Sequence, residues 1–276
     1  PAMNQAMWSD SRTQENFKKL INNNFISIGP DSGEQACGDE GFGRMSEPQQ
    51  IINQIASSFS QGLLAGKKIL ITAGPTREKI DPVRYISNRS SGKMGFSIAE
   101  AARDAGGLVS IISGPVSLET PNEVDRINVE SADEMLKEVD KAINNFDLFI
   151  STAAVSDFKP EEYENHKIKK QKKANNLNLE LTKNQDILKS VSENKGDLKV
   201  IGFAAETQNI IENAKKKLKE KNLDLIIAND VSDDSIGFDS DENEVYLITR
   251  KIEKKISKVS KKKLSRNIIE FIAENL

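Results

Sequence analysis

Short apolar runs that alternate with amphipathic stretches constrain the fold of this chain more than any other feature. They begin after Lys67 and recur towards the C-terminus, and the stretches between them repeat apolar residues with helical spacing. Such alternation predicts an α/β fold, in which a mostly parallel sheet carries helices on both faces. Several runs are almost wholly apolar, as strands buried on both faces tend to be. The predicted strands are Ile69–Ala73, Leu108–Ser113, Leu148–Ala153, Val200–Ala204 and Leu225–Ala228.

The intervening stretches predict the helices. Ser131 is a good cap for the helix that follows it, because its hydroxyl can accept a hydrogen bond from a free backbone N–H of the first turn. The predicted helices are Ser97–Ala105, Ala132–Ile143, Asp186–Val191, Asn209–Lys221 and Lys263–Leu276. Two segments alternate apolar and polar residues, Leu177–Leu181 and Val245–Thr249, which is typical of half-exposed strands that could run antiparallel. We interpret the lysine-rich run Lys251–Lys263 as a solvated edge strand and turn.

The first 62 residues lack this alternation and predict a separate unit. Residues 1 to about 46 are rich in Gly, Asn, Met and Ser, and the chain begins at Pro1, so we expect a fragment of a longer domain. Ser46 is expected to cap a short helix with three isoleucines on one face. We therefore expect two domains, at residues 1–62 and 63–276.

Composition excludes several kinds of function. One cysteine and one histidine among 276 residues exclude a disulfide framework and leave little for a zinc site or a histidine-based triad. No apolar run approaches the ~18 residues of a membrane-spanning helix. The net charge is −3 because the 39 basic residues are interleaved with acidic ones, which disfavours bulk binding of nucleic acid. We expect a cytoplasmic protein that binds neither membranes nor nucleic acid.

The loops that follow the predicted strands are the candidate binding site. In a Rossmann-like sheet, ligands bind beyond the carboxyl ends of the strands, so these loops should converge on one cleft. The longest, Gly74–Gly95, fits neither standard nucleotide fingerprint: Ser87 stands where a Walker loop needs its first glycine, and Thr76 where a dinucleotide loop needs its second. The other loops are Ala153–Pro160, Ala204–Thr207 and Asn229–Ser232.

Two basic features favour an anionic ligand in this cleft. Ser90–Gly95 leads into a helix, where free backbone amides, two hydroxyls and Lys93 can hold an anion; the alternative is a long loop that merely caps the helix. Lysines also recur near the strand ends, in Lys167–Lys170 and at Lys217 and Lys221, one helical turn apart. They could bind a polyphosphate, or simply form a solvated helix face.

The motifs in these loops together resemble phosphopantothenoylcysteine synthetase of coenzyme A biosynthesis, over Lys67 to the end of the chain. They are the long segment Ala73–Gly95, Ala153–Phe158, Lys167–Lys170, Gly202–Thr207 and Ala228–Val231. Upstream, Pro1–Trp8 and Ala36–Met45 resemble the last part of phosphopantothenoylcysteine decarboxylase, a flavoprotein fused ahead of the synthetase in bacteria. The resemblance implies a truncated flavoprotein segment followed by the synthetase domain.

The resemblance also implies the reaction and its residues. The carboxylate of 4'-phosphopantothenate attacks the α-phosphate of CTP, with Mg²⁺, and L-cysteine then displaces CMP from the acyl-cytidylate. Asn88 and Lys167 would be catalytic, and the synthetase domain would form a homodimer. CTP rather than ATP follows from the fusion alone, and no metal ligand is identified. The implied nucleotide-binding residues are Asp157, Lys167, Gln185, Asp186, Ile187, Leu188, Phe203, Lys217 and Lys221; those for substrate are Asn4, Asn88, Ser90, Ser91, Gly92, Lys93, Ala153 and Ala154.

For the N-terminal segment, the resemblance implies a partial decarboxylase site. Cys37 would donate a proton to the product enethiolate, and Asn4 would contact the substrate. FMN would bind only in the intact parent protein, because the flavin-binding half and the catalytic histidine are expected upstream of Pro1. We expect this chain neither to bind FMN tightly nor to decarboxylate by itself.

Three alternatives remain at this stage. The acidic run Asp233–Glu242 could suggest calcium, but its spacing departs from the EF-hand pattern, which favours an exposed loop. A nicotinamide-dependent reductase would share the sheet, although its glycine fingerprint is missing. A basic RNA-binding protein would account for the lysines, yet aromatic residues make up only 5% and no stacking motif is evident.

Overall fold

Residues Pro1–Gln61 and Gly62–Leu276 form two separate units in the computed structural model. The structure describes residues 1–35, 38–58, 62–169, 177–206, 208–230 and 240–276. The first unit contains helices α1 (Gln5–Ser9) and α2 (Ser11–Asn22), the antiparallel strands β1 (Asp31–Glu34) and β2 (Glu40–Arg44), and helix α3 (Pro48–Ser58).

The second unit contains the remaining strands and helices. In chain order, they are β3 (Lys68–Ala73), β4 (Arg77–Lys79), β5 (Tyr85–Ser87), α4 (Lys93–Asp104), β6 (Leu108–Ser113), β7 (Val124–Asn128), α5 (Ala132–Ala142), β8 (Leu148–Ser151), β9 (Phe158–Pro160), β10 (Leu181–Lys183), α6 (Ile187–Glu193), β11 (Lys199–Glu206), α7 (Ile210–Glu220), β12 (Leu225–Asp230), β13 (Glu242–Ile248), β14 (Glu253–Ser260) and α8 (Lys261–Asn275).

An eight-stranded sheet organises this unit and confirms the predicted α/β fold. Its strand order is β14-β13-β12-β11-β8-β3-β6-β7. The six strands from β12 to β7 pair in parallel, whereas β13 runs antiparallel to both of its neighbours. All five strands predicted from apolar runs lie in the parallel part of the sheet.

Two hydrophobic cores cover the two faces of the sheet. Successive side chains of a strand point to opposite faces, so Ile69 and Ile71 pack on one core while Leu70 packs on the other, and all three are fully buried. Helices α4 and α8 cover the first face, and α5, α6 and α7 cover the second. This double coverage explains why the central strands are apolar throughout.

Several elements differ from the sequence predictions. Helices α4 and α8 begin at Lys93 and Lys261, rather than at Ser97 and Lys263. Strand β13 is antiparallel as suggested, but Val245, Leu247 and Ile248 are fully buried because both faces are covered. The predicted strand Leu177–Leu181 is wrong for most of its length, since only Leu181 is extended within β10.

Ser46 does not cap α3 as predicted. Its hydroxyl is buried without a hydrogen-bond partner in the described part of the chain. The N–H of Glu47 is instead held by the side-chain oxygen of Gln50, at 3.1 Å. Ser131 does cap α5, because its hydroxyl accepts a hydrogen bond from Glu134 N at 3.2 Å.

Candidate functional site

A cavity of about 480 Å³ lies at the carboxyl edge of the sheet, on the face covered by α4 and α8. It adjoins the gap between β3 and β8, where strand order reverses and where open α/β sheets bind their ligands. The lining residues are Asn88, Arg89, Ser90, Ser91, Gly92, Lys93, Met94, Gly95, Thr152, Ala153, Ala154, Phe203, Ala205, Asn229, Asn243 and Lys261.

Strand register determines which side chains reach this cavity. Phe203 pairs with Ile227 and Ala205 pairs with Asn229 across β11 and β12. These alternate residues share the face covered by α4 and α8, because side chains two apart point the same way. Asn229 therefore belongs to the cavity, although the sequence prediction named only its loop.

The loop after β3 is held against the loop after β8 by backbone contacts. Ala154 N donates to Gly74 O at 2.9 Å, and Thr76 N donates to Ala154 O at 3.4 Å. Beyond this crossing, the side-chain amide of Asn88 donates to Val155 O at 2.9 Å. The amide of Asn88 is thus fixed at the cavity wall although the residue itself is exposed.

The predicted anion-binding segment forms the turn at the start of α4. Gly92 has φ +75°, a left-handed conformation that other residues rarely adopt, and Ser90 Oγ accepts a hydrogen bond from Gly92 N at 3.2 Å. A Cβ on Gly95 would lie 2.4 Å from Thr152 Oγ1, so this position admits only glycine. The close approach brings the first turn of α4 against the end of β8.

Two lysines, Lys93 and Lys261, line the cavity. Lys93 Nζ lies 2.7 Å from Asp241 Oδ1. Hydrogen bonding and charge attraction from Lys93, together with weaker attraction from Lys261, lower the pKa of the Asp241 carboxyl. Lys261 is only 6% exposed, whereas the rest of the predicted solvated segment Lys251–Lys263 is mostly exposed. The burial of Lys261 follows from the packing of α8 on the sheet, which the lysine-rich pattern of this segment does not indicate.

Other predicted nucleotide-binding residues lie on the opposite face of the sheet. Lys217 of α7 pairs with Glu206 at 2.6 Å, and Lys221 pairs with Asp186 at 2.7 Å. The side chains of Ile187 and Leu188 are buried in the core beneath α5, α6 and α7, and Gln185 is exposed. Within this chain, Phe203 lines the cavity that contains Asn88. The predicted nucleotide-binding residues that do not line it are Gln185, Asp186, Ile187, Leu188, Lys217 and Lys221.

Lys167 and Asp157 are both exposed, and neither lines the cavity. A buried carboxylate, Asp81, positions the segment of Lys167: it accepts hydrogen bonds from Val83 N, Arg84 N and Ile168 N at 2.8, 2.9 and 3.1 Å. Burial would raise the pKa of Asp81, but these donors outweigh it and the pKa lies below its usual value. The sequence prediction missed this positioning role.

In the first unit, Asn4 lines a separate cavity of about 570 Å³ that also contains Ser46. Asn4 caps α1 through a bond from Ala6 N at 2.8 Å, and its amide contacts Asp39 at 3.2 Å. The predicted proton donor Cys37 lies outside the described residues, as do Lys170, Thr207, Val231, Ser232 and 233–239 of the acidic run.

No three His, Cys, Asp or Glu side chains lie close enough together to hold a metal ion within the described ranges. None of the described helices is both long and apolar enough to span a membrane.

Comparison with known proteins gives consistent results along the whole chain. Residues 64–276 match the family described as DNA/pantothenate metabolism flavoprotein C-terminal domain, and residues 1–60 match the family described as flavoprotein. The coenzyme A biosynthesis bifunctional protein CoaBC of Vibrio cholerae is 45% identical over 279 residues, which cover 100% of this chain and 69% of the relative. The protein of the same name from Haemophilus influenzae is 49% identical over 281 residues, covering 99% and 68%.

Solved structures show the same fold. A crystal structure of the C-terminal domain of coenzyme A biosynthesis bifunctional protein CoaBC is 42% identical with a TM-score of 0.67, and covers 78% of this chain and 97% of its own. The DNA/pantothenate metabolism flavoprotein from Streptococcus pneumoniae is 25% identical with a TM-score of 0.66, covering 76% and 99%.

Proposed function

Because this chain belongs to the family of the coenzyme A biosynthesis bifunctional proteins, we propose that residues 63–276 join 4'-phosphopantothenate to L-cysteine at the expense of CTP. The chain carries the synthetase domain of this coenzyme A biosynthesis enzyme, preceded by a fragment of the decarboxylase. The domain boundary after residue 62 is part of the proposal.

The reaction has two steps. The carboxylate oxygen of 4'-phosphopantothenate forms a bond to the α-phosphorus of CTP, and pyrophosphate leaves with the electrons of the broken P–O bond. The amine of cysteine then attacks the acyl carbon of the mixed anhydride, CMP leaves, and the amine loses a proton. Activation is needed because a carboxylate is a poor acyl donor, whereas CMP is a good leaving group.

The position of Asn88 carries this proposal. Its amide is fixed at the wall of the cavity. The same cavity is lined by Phe203 and by the turn 90–93, which leads into α4. A hydrogen-bond donor held beside an anion-binding turn is what an acyl phosphate requires, because charge grows on its oxygens as cysteine attacks. We assign Asn88 to the acyl-cytidylate, Ala153 and Ala154 to the adjacent wall, and Phe203 to the nucleotide.

A nucleotide panel tests the proposal. Purified protein is mixed with 4'-phosphopantothenate, L-cysteine and Mg²⁺, and with CTP, ATP, GTP or UTP in turn, and pyrophosphate and phosphopantothenoylcysteine are quantified. We expect both products with CTP at the highest rate. Release of pyrophosphate with ATP but not with CTP would change the proposed nucleotide from CTP to ATP. If no nucleotide gives any product, the ligase function itself is contradicted.

We also propose that Lys167 binds the phosphates of CTP, together with Lys217 and Lys221, and that Asp157 and Gln185–Leu188 contact the nucleotide. Lys217 of α7 and Lys221, just after it, already face acidic partners in this chain, so a phosphate would have to replace Glu206 and Asp186. Lys167 is exposed on a segment tied to Asp81, where a second chain could reach it.

Lys167→Gln is expected to lower the rate of pyrophosphate release about 10- to 100-fold, which corresponds to loss of one hydrogen bond from a charged donor. The rate is measured with saturating 4'-phosphopantothenate and varied CTP. Lys18→Gln, which removes an exposed lysine of the first unit, is the matched control and should have no effect. A near-normal rate for Lys167→Gln would remove this residue from the nucleotide step.

Mg²⁺ is proposed to arrive with the triphosphate. It typically binds through substrate phosphates and retains several waters, so it needs few protein ligands. No protein site made of three His, Cys, Asp or Glu side chains is found among the described residues.

A homodimer through the synthetase domain is supported by two hairpins that contact each other, β4–β5 and β9–β10. They carry Val83, Tyr85, Phe158 and Leu181, which are 45 to 59% exposed. Several apolar side chains on one surface are typical of a protein interface, and a second copy would cover them. Sedimentation equilibrium tests this, since a monomer mass of 30.6 kDa at micromolar concentration would contradict it.

Flavin chemistry is proposed only for the intact parent protein. Among the described residues on the cavity of the first unit, Arg44 is the one basic side chain, and it pairs with Glu47 at 2.6 Å. These residues do not fit an FMN phosphate, so no decarboxylation step is assigned to this chain. For the parent protein, we propose that Asn4 contacts the decarboxylase substrate and that Cys37 donates the proton. The cytoplasmic location stays a prediction.

A further inference from the structure

Two helices begin side by side at the cavity that contains Asn88. Helix α4 begins at Lys93 and α8 at Lys261, both residues line the cavity, and the two helices pack against each other. Their N-termini therefore meet at one place. Each helix N-terminus carries partial positive charge from its free N–H groups, so the pair favours an anion between them.

Lys261 is the most unusual residue of this wall. Lysine is almost never fully buried unless its charge is compensated, because removing an ammonium group from water is costly. Lys261 is 6% exposed, yet it adjoins a cavity rather than the closed core. The next residue, Lys262, has the opposite character: its side chain is 73% exposed and reaches Glu100 at 3.6 Å.

Asp241 supplies a carboxylate at the same place. Lys261 N donates to Asp241 O at 2.8 Å, which fixes the backbone of Asp241 beside the start of α8, and its side chain reaches Lys93. The nearby Asn243 is buried on the cavity wall, and its side-chain oxygen already accepts a bond from Glu244 N at 2.9 Å. Asn243 thus adds a polar side chain to the wall that Lys93 and Lys261 line.

We propose that Lys261 and Lys93 together bind one phosphate group of a substrate, and that the carboxylate of Asp241 takes the place of this group between ligands. A phosphate is the appropriate class of ligand, because it accepts several charged hydrogen bonds at once. The inference deepens the proposed ligase function, since both 4'-phosphopantothenate and CTP carry such a group.

Lys261→Met tests the assignment, because methionine keeps the length and apolar stem of lysine and removes only the charge. Lys262→Met is the matched control, one residue along the same helix. Calorimetry measures the affinity of each variant for CTP, for 4'-phosphopantothenate and for pyrophosphate alone. We expect Lys261→Met to lower the affinity for one of the two substrates about 10- to 100-fold, and Lys262→Met to leave both affinities unchanged. Lys261→Arg should recover most of the affinity.

The three probes distinguish the source of the phosphate. Weaker binding of both CTP and pyrophosphate assigns the group to the nucleotide, whereas weaker binding of 4'-phosphopantothenate alone assigns it to that substrate. Unchanged affinity for every probe that wild type binds overturns the inference. If wild type binds neither substrate, the ligase proposal fails, and pyrophosphate still tests the anion site by itself.

Asp241→Asn provides an independent test that does not depend on how Lys261→Met folds. Removing a competing carboxylate should tighten binding of the same ligand about two- to fivefold, the range expected from loss of an exposed ion pair. The gain should shrink at high salt, because ions screen the pair that is removed. Equal or weaker affinity at low salt would show that Asp241 does not compete for this place.

Discussion

Replacing Asn88 with Asp is expected to slow amide formation at least about a hundredfold, while pyrophosphate is still released. The side-chain amide of Asn88 donates to Val155 O at 2.9 Å, and a carboxylate at this position has no proton to donate. It would be repelled both by that carbonyl oxygen and by the phosphoryl group of the acyl-cytidylate. Loss of one donor that stabilises developing negative charge typically costs 10²- to 10³-fold in rate.

Chemical quench separates the two steps. Pyrophosphate, acyl-cytidylate and phosphopantothenoylcysteine are quantified in the same time course, and the Asn88→Asp variant should accumulate the acyl-cytidylate to about the enzyme concentration. Asn145→Asp makes the same chemical change at the opposite end of β8, at an exposed position, and should behave as wild type. Unchanged formation of the amide would reject the role of Asn88 in the second step.

The parallel part of the fold could be predicted because its strands are apolar on both faces. Strand β7, Val124–Asn128, is not predicted from the sequence, because it lies at the sheet edge and only Val124 of its five residues is buried. The hairpin β4–β5 was missed for a similar reason, since its strands have three residues each. The solvated edge strand predicted within Lys251–Lys263 is confirmed as β14, whereas the predicted turn at its end is wrong, because Lys261–Lys263 already belongs to α8.

The candidate site could be predicted where it is continuous in sequence. Asn88–Gly95 follows β3 and begins α4, so the strand-end rule placed it correctly at a cleft. Lys217 and Lys221 illustrate the limit of this reasoning: their spacing places them on one helical face, but it does not say which face of the sheet α7 covers. Asn229 could have been found from the alternation of Leu225, Ile227 and Asn229, whose side chains share one face.

Tight backbone crossings hold the candidate site in place. Pro75 forms an isolated bridge with Ala154, and the residue after Ala154 provides the carbonyl that binds Asn88. On its other side, Pro75 approaches Gly114, at the end of β6, so closely that a Cβ on Gly114 would lie 1.7 Å from Pro75 O. The absence of a side chain at Gly114 therefore determines where the loop after β3 can lie.

Gly114→Ala is expected to lower the free energy of unfolding by about 3 kcal/mol, the upper end of the usual cost of overpacking, because the obstructing atom belongs to the backbone. For a unit of this size, the melting temperature should fall by about 6 to 12 °C. Gly202→Ala is the matched control: its Cβ would meet only the ends of the Leu188 and Leu223 side chains, at 2.8 and 2.9 Å, which can move. We expect Gly202→Ala to lower the free energy of unfolding by only about 1 kcal/mol.

Gly114→Ala should also slow the ligase reaction in the fraction that stays folded, because a shift of Pro75 displaces Ala154 and, through Val155, the amide of Asn88. Gly202→Ala lies before the cavity-lining end of β11 and leaves the amide of Asn88 in place, so the rate of amide formation per folded molecule at saturating CTP should be unchanged; a shift of Leu188, which is assigned to the nucleotide, would change only the concentration of CTP that is needed. Calorimetric melting and single-turnover rates at 15 °C below each melting midpoint separate the two effects. Equal rates and equal melting temperatures for the two variants would contradict the role of this backbone crossing in positioning Asn88.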